Sequence, residues 1–236
     1  MIARIWVYLS ATPLLWLTAT LVAYQAGAWI FARSGRRPLL NPVLFAVAVL
    51  IAVLAATGTP YETYFDGAQF VHFLLGPATV ALAVPMFDNR GTVRTALLPM
   101  VAALAAGSLT AIVSAVGGAW LFGAHSETLA SIAPKSVTAP IAMALSEQIG
   151  GLPSLTAAFV IATGICGAVM ATPLLNLLRL RDYRARGFAA GLAAHGLGTA
   201  RAFQVNEMAG TFAGMALALN GLATSLLVPA LARLAR

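Results

Sequence analysis

Apolar residues run along this chain in blocks of about 20, separated by short clusters of charged and turn-forming residues, and blocks of that length without period-2 alternation predict membrane-spanning helices. The first two blocks are Pro13–Phe31 and Pro42–Thr57. A third, Gly67–Phe87, is interrupted at Gly76-Pro77-Ala78-Thr79. Ala96–Phe122, Leu155–Leu178, Gly187–Phe203 and Ala209–Leu231 follow, and Gly187–Phe203 is itself broken around His195-Gly196-Leu197-Gly198-Thr199. The predicted fold class is an all-α polytopic membrane protein with about seven transmembrane helices plus broken or re-entrant segments. We read residues 1–236 as one integral membrane domain, in which 1–65 form a scaffold of N-terminal helices and 66–236 a broken-helix transport core.

One block departs from the others. Thr128–Ile149 contains Ala133-Pro134-Lys135-Ser136-Val137-Thr138-Ala139-Pro140, with the chain's one lysine between two prolines. Each proline removes a backbone N–H and pushes the preceding residue out of helical geometry, so the helix is expected to break there. Lipid cannot satisfy the freed backbone groups, so such a break has to face protein or water.

Charges orient the blocks, because Arg and Lys accumulate on the cytoplasmic side. Arg33–Pro38, the Arg90/Arg94 pair and the Arg179, Arg181, Arg184, Arg186 cluster are placed inside. Gly58–Asp66 and the loop with His125 and Glu127 are placed outside. Leu155–Leu178 must then begin outside, which makes the Pro134–Pro140 segment re-entrant; the alternative is that it crosses fully. Arg233 and Arg236 put the C-terminus in the cytoplasm. Arg33, Arg36 and Arg37 after the first block form a stop-transfer pattern, so that block reads as a helix rather than a cleaved signal. Shifting the sequence by 57 residues pairs Pro77 with Pro134, Thr79 with Ser136 and Gly107 with Gly164, a weak internal repeat of the kind that points to a transporter's binding site.

Composition narrows the function. With 60% hydrophobic and 9% charged residues among 236, the chain excludes a soluble domain. The net charge of +7 comes almost wholly from arginines in short loops, without the aromatic-interleaved basic patch of a nucleic-acid binder. The three histidines lack metal-ligand spacing, and no nucleophile–base pair has a third group to orient it, so neither a metal site, a cofactor nor an enzyme is expected. The lone cysteine, Cys166, reads as a small core residue.

An intramembrane cation costs about 2.5–3.5 kcal/mol on insertion scales, which makes Lys135 the leading candidate for an anion ligand. The alternative is a lysine that snorkels to the headgroups. Ser136, Thr138, Pro77 and Thr79 mark the same kind of break, and Thr199 and Arg201 follow the break at His195. Arg201 can grip a carboxylate with two parallel hydrogen bonds, or lie at the interface. His195 or Glu147 would carry a coupling proton; the alternative for His195 is a packed, hydrogen-bonded ring. Asn220 lies deep enough to be a ligand or to bond across helices. Gly187-x-x-x-Gly191 and Gly210-x-x-x-Gly214 allow close helix approach.

Leu74-Leu75-Gly76-Pro77-Ala78-Thr79, Pro134 through Ala142, Ile149-Gly150-Gly151-Leu152-Pro153, and Ala185-Arg186-Gly187 through His195-Gly196-Leu197-Gly198-Thr199-Ala200 resemble the LrgB/CidB family over essentially the whole chain. These are antiholin-like membrane proteins related to the C-terminal half of the plastidial glycolate/glycerate translocator. The resemblance implies a multi-pass protein of the bacterial inner membrane linked to murein hydrolase activity and autolysis, often with a smaller LrgA/CidA-type subunit. Through its plastid relatives it also implies transport of small monocarboxylates. The sequence is thus read as a proton-coupled carrier of glycolate-, glycerate- or pyruvate-like anions, working as a homodimer or higher oligomer in the lipid bilayer. The rival reading is a holin/antiholin-like modulator of cell lysis that acts by oligomerising.

Overall fold

The structure, a computed structural model, describes residues 13–35, 37, 40–74, 77, 80–81 and 83–234, and the described elements are helices. They gather into two compact units divided between Ala81 and Leu82. Helices α1 (Pro13–Arg33), α6 (Leu97–Leu121), α9 (Pro153–Leu177) and α11 (Glu207–Leu234) are long and apolar enough to cross a membrane. This is a multi-pass all-α membrane protein.

In the N-terminal unit, α1 packs against α2 (Pro42–Thr57) and α3 (Tyr61–Phe73). Helix α2 starts where Asn41 Oδ1 accepts from the N–H of Val43 at 2.8 Å and Pro42 supplies a pre-set φ, and it stops at Gly58, whose φ of 62° is the left-handed C-cap conformation. Ala23, Ala46 and Leu50 form the seam. Trp16 meets Tyr64 edge-on, and the Tyr64 hydroxyl lies 3.2 Å from Thr20 Oγ1.

The C-terminal unit holds α4 (Ala83–Asp88), α5 (Arg90–Thr95), α6, α7 (Ser126–Ile132), α8 (Ala139–Gln148), α9, α10 (Tyr183–Val205) and α11. Contacts at three levels show that α6 and α11 run parallel. Met100 packs with Phe212 and Met215 near both helix starts, Ser108 Oγ donates to Asn220 Oδ1 at 2.7 Å near both midpoints, and Ile112 and Val116 pack with Val228 and Leu231 toward both ends. Helix α9 runs the opposite way: it begins beside Ser131 and Ser146, and Leu175, near its end, lines a small space with Arg186, Val205 and Ala209.

Between these spans the chain makes two hairpins. In the first, α7 enters, the backbone breaks at Ala133–Thr138, and α8 returns. The N–H of Leu152 then donates to Ser131 Oγ at 2.8 Å, closing the excursion at the level where it began. Ala133, where the excursion leaves α7, and Ile149, where α8 brings it back, join one apolar cluster. The expected re-entrance of the Pro134–Pro140 segment is therefore how the chain runs.

The second hairpin lies within α10. Ala194 (φ −129°, ψ 21°) and His195 (φ 42°, ψ −132°) leave helical geometry, and the chain reverses there. After the reversal Gly198 backs onto the carbonyl of Ala190, and the Phe203 ring covers Gly210. On the entering arm, Gly187 and Gly191 press against the carbonyls of Ala209 and Ala213, so this arm runs parallel to the start of α11 with no room for a Cβ. Asn206 closes the base, its Oδ1 accepting from the N–H of Met208 at 2.9 Å.

One expectation is corrected by this reversal. Arg233 was placed on the same face as the Arg179–Arg186 cluster, yet α11 runs parallel to α6 and ends at the opposite end of the unit from that cluster. The break at His195 returns the chain to the side it came from, which inverts every later assignment; Arg236 lies outside the described residues.

The arrangement is an inverted repeat. Helix α6 with the hairpin after it, and α9 with the hairpin after that, run in opposite directions, and the hairpins enter from opposite ends. Each returning arm carries the same dipeptide at or within its first turn, Thr138-Ala139 in the first and Thr199-Ala200 in the second, and each threonine lies five residues after an alanine, Ala133 and Ala194. This relation differs from the 57-residue shift, whose Pro77 belongs to the N-terminal unit.

Candidate functional site

The two hairpin tips meet at one side chain. Asn220, 1% exposed near the midpoint of α11, donates through Nδ2 to the carbonyl of Ser136 at 3.2 Å and to that of Leu192 at 3.0 Å, while its Oδ1 accepts from Ser108 at 2.7 Å and Thr224 at 3.2 Å. Both acceptors are products of the breaks. In an unbroken helix the Leu192 carbonyl would bond four residues on, at Gly196, beyond the reversal. All four hydrogen-bonding positions of the amide are taken by protein, so Asn220 clamps the tips together.

His195 occupies the second tip, buried, with Nε2 2.9 Å from the carbonyl of Val160 on α9. A carbonyl only accepts, so Nε2 carries the proton and Nδ1 remains an acceptor. Its positive φ in a non-glycine residue is the kind of backbone strain that clusters at functional positions. Gly164 lies directly under the ring, where a Cβ would collide with Cε1. Thr199 Oγ1 donates to the His195 carbonyl at 2.9 Å, one turn back in the returning arm.

At the first tip, Ser136 and Val137 are buried, and Val137 packs on Val160, the residue whose carbonyl meets His195. Thr138 N-caps α8 with ψ of 148°, and Pro140 occupies its first turn, where a missing N–H costs nothing. Lys135 is half-buried, with Nζ 3.4 Å from Ser136 Oγ, and lies close enough to His195 for their charges to interact. Among the described residues no carboxylate forms an ion pair with this ammonium. Lys135 instead lines a groove of about 580 Å³ between α9 and the entering arm of α10, with Thr163 and Cys166 as its other polar groups.

Half-helices α8 and the returning arm of α10 both begin at the tips. Each N-terminus presents N–H groups without intrahelical partners and the positive end of a dipole. Two such ends beside an unneutralised ammonium make a region suited to an anion.

The family model described as LrgB-like matches residues 20–234. The chain belongs to the LrgB-like family. Its relatives include the uncharacterized protein YwbG of Bacillus subtilis, 35% identical over 90% of this chain and 94% of that protein. The holin-like protein CidB of Staphylococcus epidermidis is 30% identical over 95% of this chain and 96% of its own length, and an uncharacterized protein of Haemophilus influenzae is 31% identical over 86% and 89%. No solved structure matches the chain.

In this LrgB-like chain the tips bring together Lys135, Ser136, Thr138, His195 and Thr199. Other expected site residues stand apart. Arg201 is buried, with Nη1 3.4 Å from Gln204 Oε1, and lines a space of about 20 Å³ with Ala171, Thr172 and Leu175, three turns along α9 from Val160. It and Lys135 therefore do not form one carboxylate clamp. Glu147 is exposed at the far end of α8, at the hairpin base. Pro77 belongs to the N-terminal unit, and Thr79 lies outside the described residues. Ser108 and Thr163 are site residues that the sequence reading missed. Hydroxyls in mid-span were the available signal, but Ala- and Thr-rich helices carry many of them.

Proposed function

We propose that this protein is a secondary transporter of small monocarboxylates of the glycolate, glycerate and pyruvate class, in which Lys135 and the two half-helix N-termini hold the carboxylate and His195 carries a coupling proton through Nδ1. The observation that carries this reading is a half-buried ammonium, without a counter-ion among the described residues, at the meeting point of two opposed re-entrant tips. The exposed position of Glu147 favours His195 as the proton carrier. The protein would reside in the bacterial inner membrane with the Arg179–Arg186 cluster cytoplasmic, and would work as a homodimer or higher oligomer or with an LrgA/CidA-type small subunit.

The test is uptake of radiolabelled pyruvate, glycolate and glycerate into proteoliposomes, with and without an inward proton gradient. Saturable, gradient-stimulated uptake that Lys135→Ala abolishes is the expected result. A second reading, a holin/antiholin-like modulator of murein hydrolase activity and cell lysis, draws support from its CidB relatives, which are named as holin-like proteins. Leakage of an unrelated dye from the same vesicles, without carboxylate uptake, would replace the carrier by that reading.

A further inference from the structure

The groove at Lys135 is far longer than a three-carbon acid needs. Its volume of about 580 Å³ would hold on the order of twenty waters at roughly 30 Å³ each. It follows α9 from Phe159 to Leu175, a rise of about 24 Å at 1.5 Å per residue. Polarity is confined to one part of it: Lys135 is the sole ionisable cation in the lining, and beyond Thr163 and Cys166 the wall is Met170, Leu174 and the alanines of α10. Small residues create the space. Gly167 and Ala171 face Ala190, Ala193 and Ala194, and a Cβ on Gly167 would run into Ala194.

We infer that the site takes 2-oxo or 2-hydroxy monocarboxylates with an extended apolar tail in preference to the two- and three-carbon acids of that class. This rests on the carrier reading for the role of Lys135, and goes beyond it in the substrate selected. One carboxylate is matched by one ammonium, and the tail lies along the alanine-lined wall. The far end of the groove shares Ala171, Leu175 and Ala190 with the small space that Arg201 lines beside Gln204. Each methylene moved from water to the groove should tighten binding about three-fold.

The experiment is equilibrium binding of pyruvate and 2-oxohexanoate to the full chain in nanodiscs, in the native protein, Lys135→Ala and Ala171→Phe. The expected result is 2-oxohexanoate binding on the order of twenty- to sixty-fold more tightly than pyruvate, from three added methylenes. Lys135→Ala should lose that binding, and Ala171→Phe, which fills the groove, should bring the ratio of 2-oxohexanoate to pyruvate affinity toward one. Pyruvate binding as tightly as 2-oxohexanoate would overturn the tail preference and leave the small-acid carrier standing. Tight 2-oxohexanoate binding that survives Lys135→Ala would be partitioning of the tail, and would also overturn it. Lys135-dependent 2-oxohexanoate binding without uptake of any acid would keep the site and remove the carrier reading.

Discussion

Asn220 shows how one polar side chain can hold two backbone breaks at membrane depth. Its amide joins α6, α11 and both hairpin tips, and every bond has a buried partner. Replacing it by leucine leaves two carbonyls and the Ser108 and Thr224 hydroxyls without this partner, which should cost about 4 kcal/mol or more given roughly 1–3 kcal/mol per stranded group. Thermal unfolding in detergent measures this, and an unchanged midpoint would show that the tips are held elsewhere. Asn220→Asp keeps the two acceptances and loses both donations, so it should fall between. Lys135 and His195 were legible as candidates because an ionisable group in an apolar run is costly and conspicuous. The role of Asn220 was not, since an amide in a span reads equally as a ligand or a clamp until its partners are known.

At the scale of elements, the hairpin in α10 depends on its base as much as its tip. Asp182 N-caps the entering arm, accepting from the N–H of Arg184 at 2.8 Å, and pairs with the Arg184 guanidinium at 2.7 Å. The side-chain hydrogen bond from Arg184 holds the Asp182 carboxyl below its ordinary range. A carboxyl depressed in the folded state contributes stability above its unfolded pKa of about 3.9, and that contribution is lost as pH falls through the lower folded value. Asp182→Ala should therefore cost about 1 kcal/mol at neutral pH, the usual worth of an N-cap, and almost nothing once the pH is below the folded value; the pair is half-exposed, so the cap rather than the ion pair carries most of it. Hydrogen exchange of the first turn of α10 at the two pH values checks this. Gly187→Val is a harsher change. The carbonyl of Ala209 occupies the place of the new Cβ, so α10 and α11 must separate, and a loss of about 2 kcal/mol or more, in the range of overpacked sites, is expected in the same unfolding assay.

At the scale of the whole molecule, the C-terminal unit carries two spans and two hairpins in inverted order, closed by α11. The direct consequence is topological. In a Cys166→Ala background, single substitutions Arg181→Cys and Arg233→Cys should react with a membrane-impermeant thiol reagent from opposite sides of sealed vesicles. Labelling of both from one side would mean that the second hairpin crosses after all. Charge counting put both arginine clusters on one face because it treats each apolar block as a crossing. The α10 block is long enough to be read that way, but it spends its length on two antiparallel arms.

What the sequence determined by itself is local and follows from lipid: the apolar blocks, because an unsatisfied backbone in hydrocarbon is too costly for anything but helix, and the two breaks, because Pro134 and Pro140 push the residues before them out of helical geometry and Gly196 and Gly198 weaken the helix around the second. The identity of the charged candidates follows the same rule. Tertiary structure alone decided what each break does. A break can kink a span or reverse it, and the choice rests on partners far away in the chain: Leu152 for Ser131, Val160 for His195, Ala209 and Ala213 for two glycines, and Asn220 for both tips. Those contacts also separate Arg201 and Glu147 from Lys135, since the direction a chain takes after a reversal is set by packing and leaves no mark in composition or spacing.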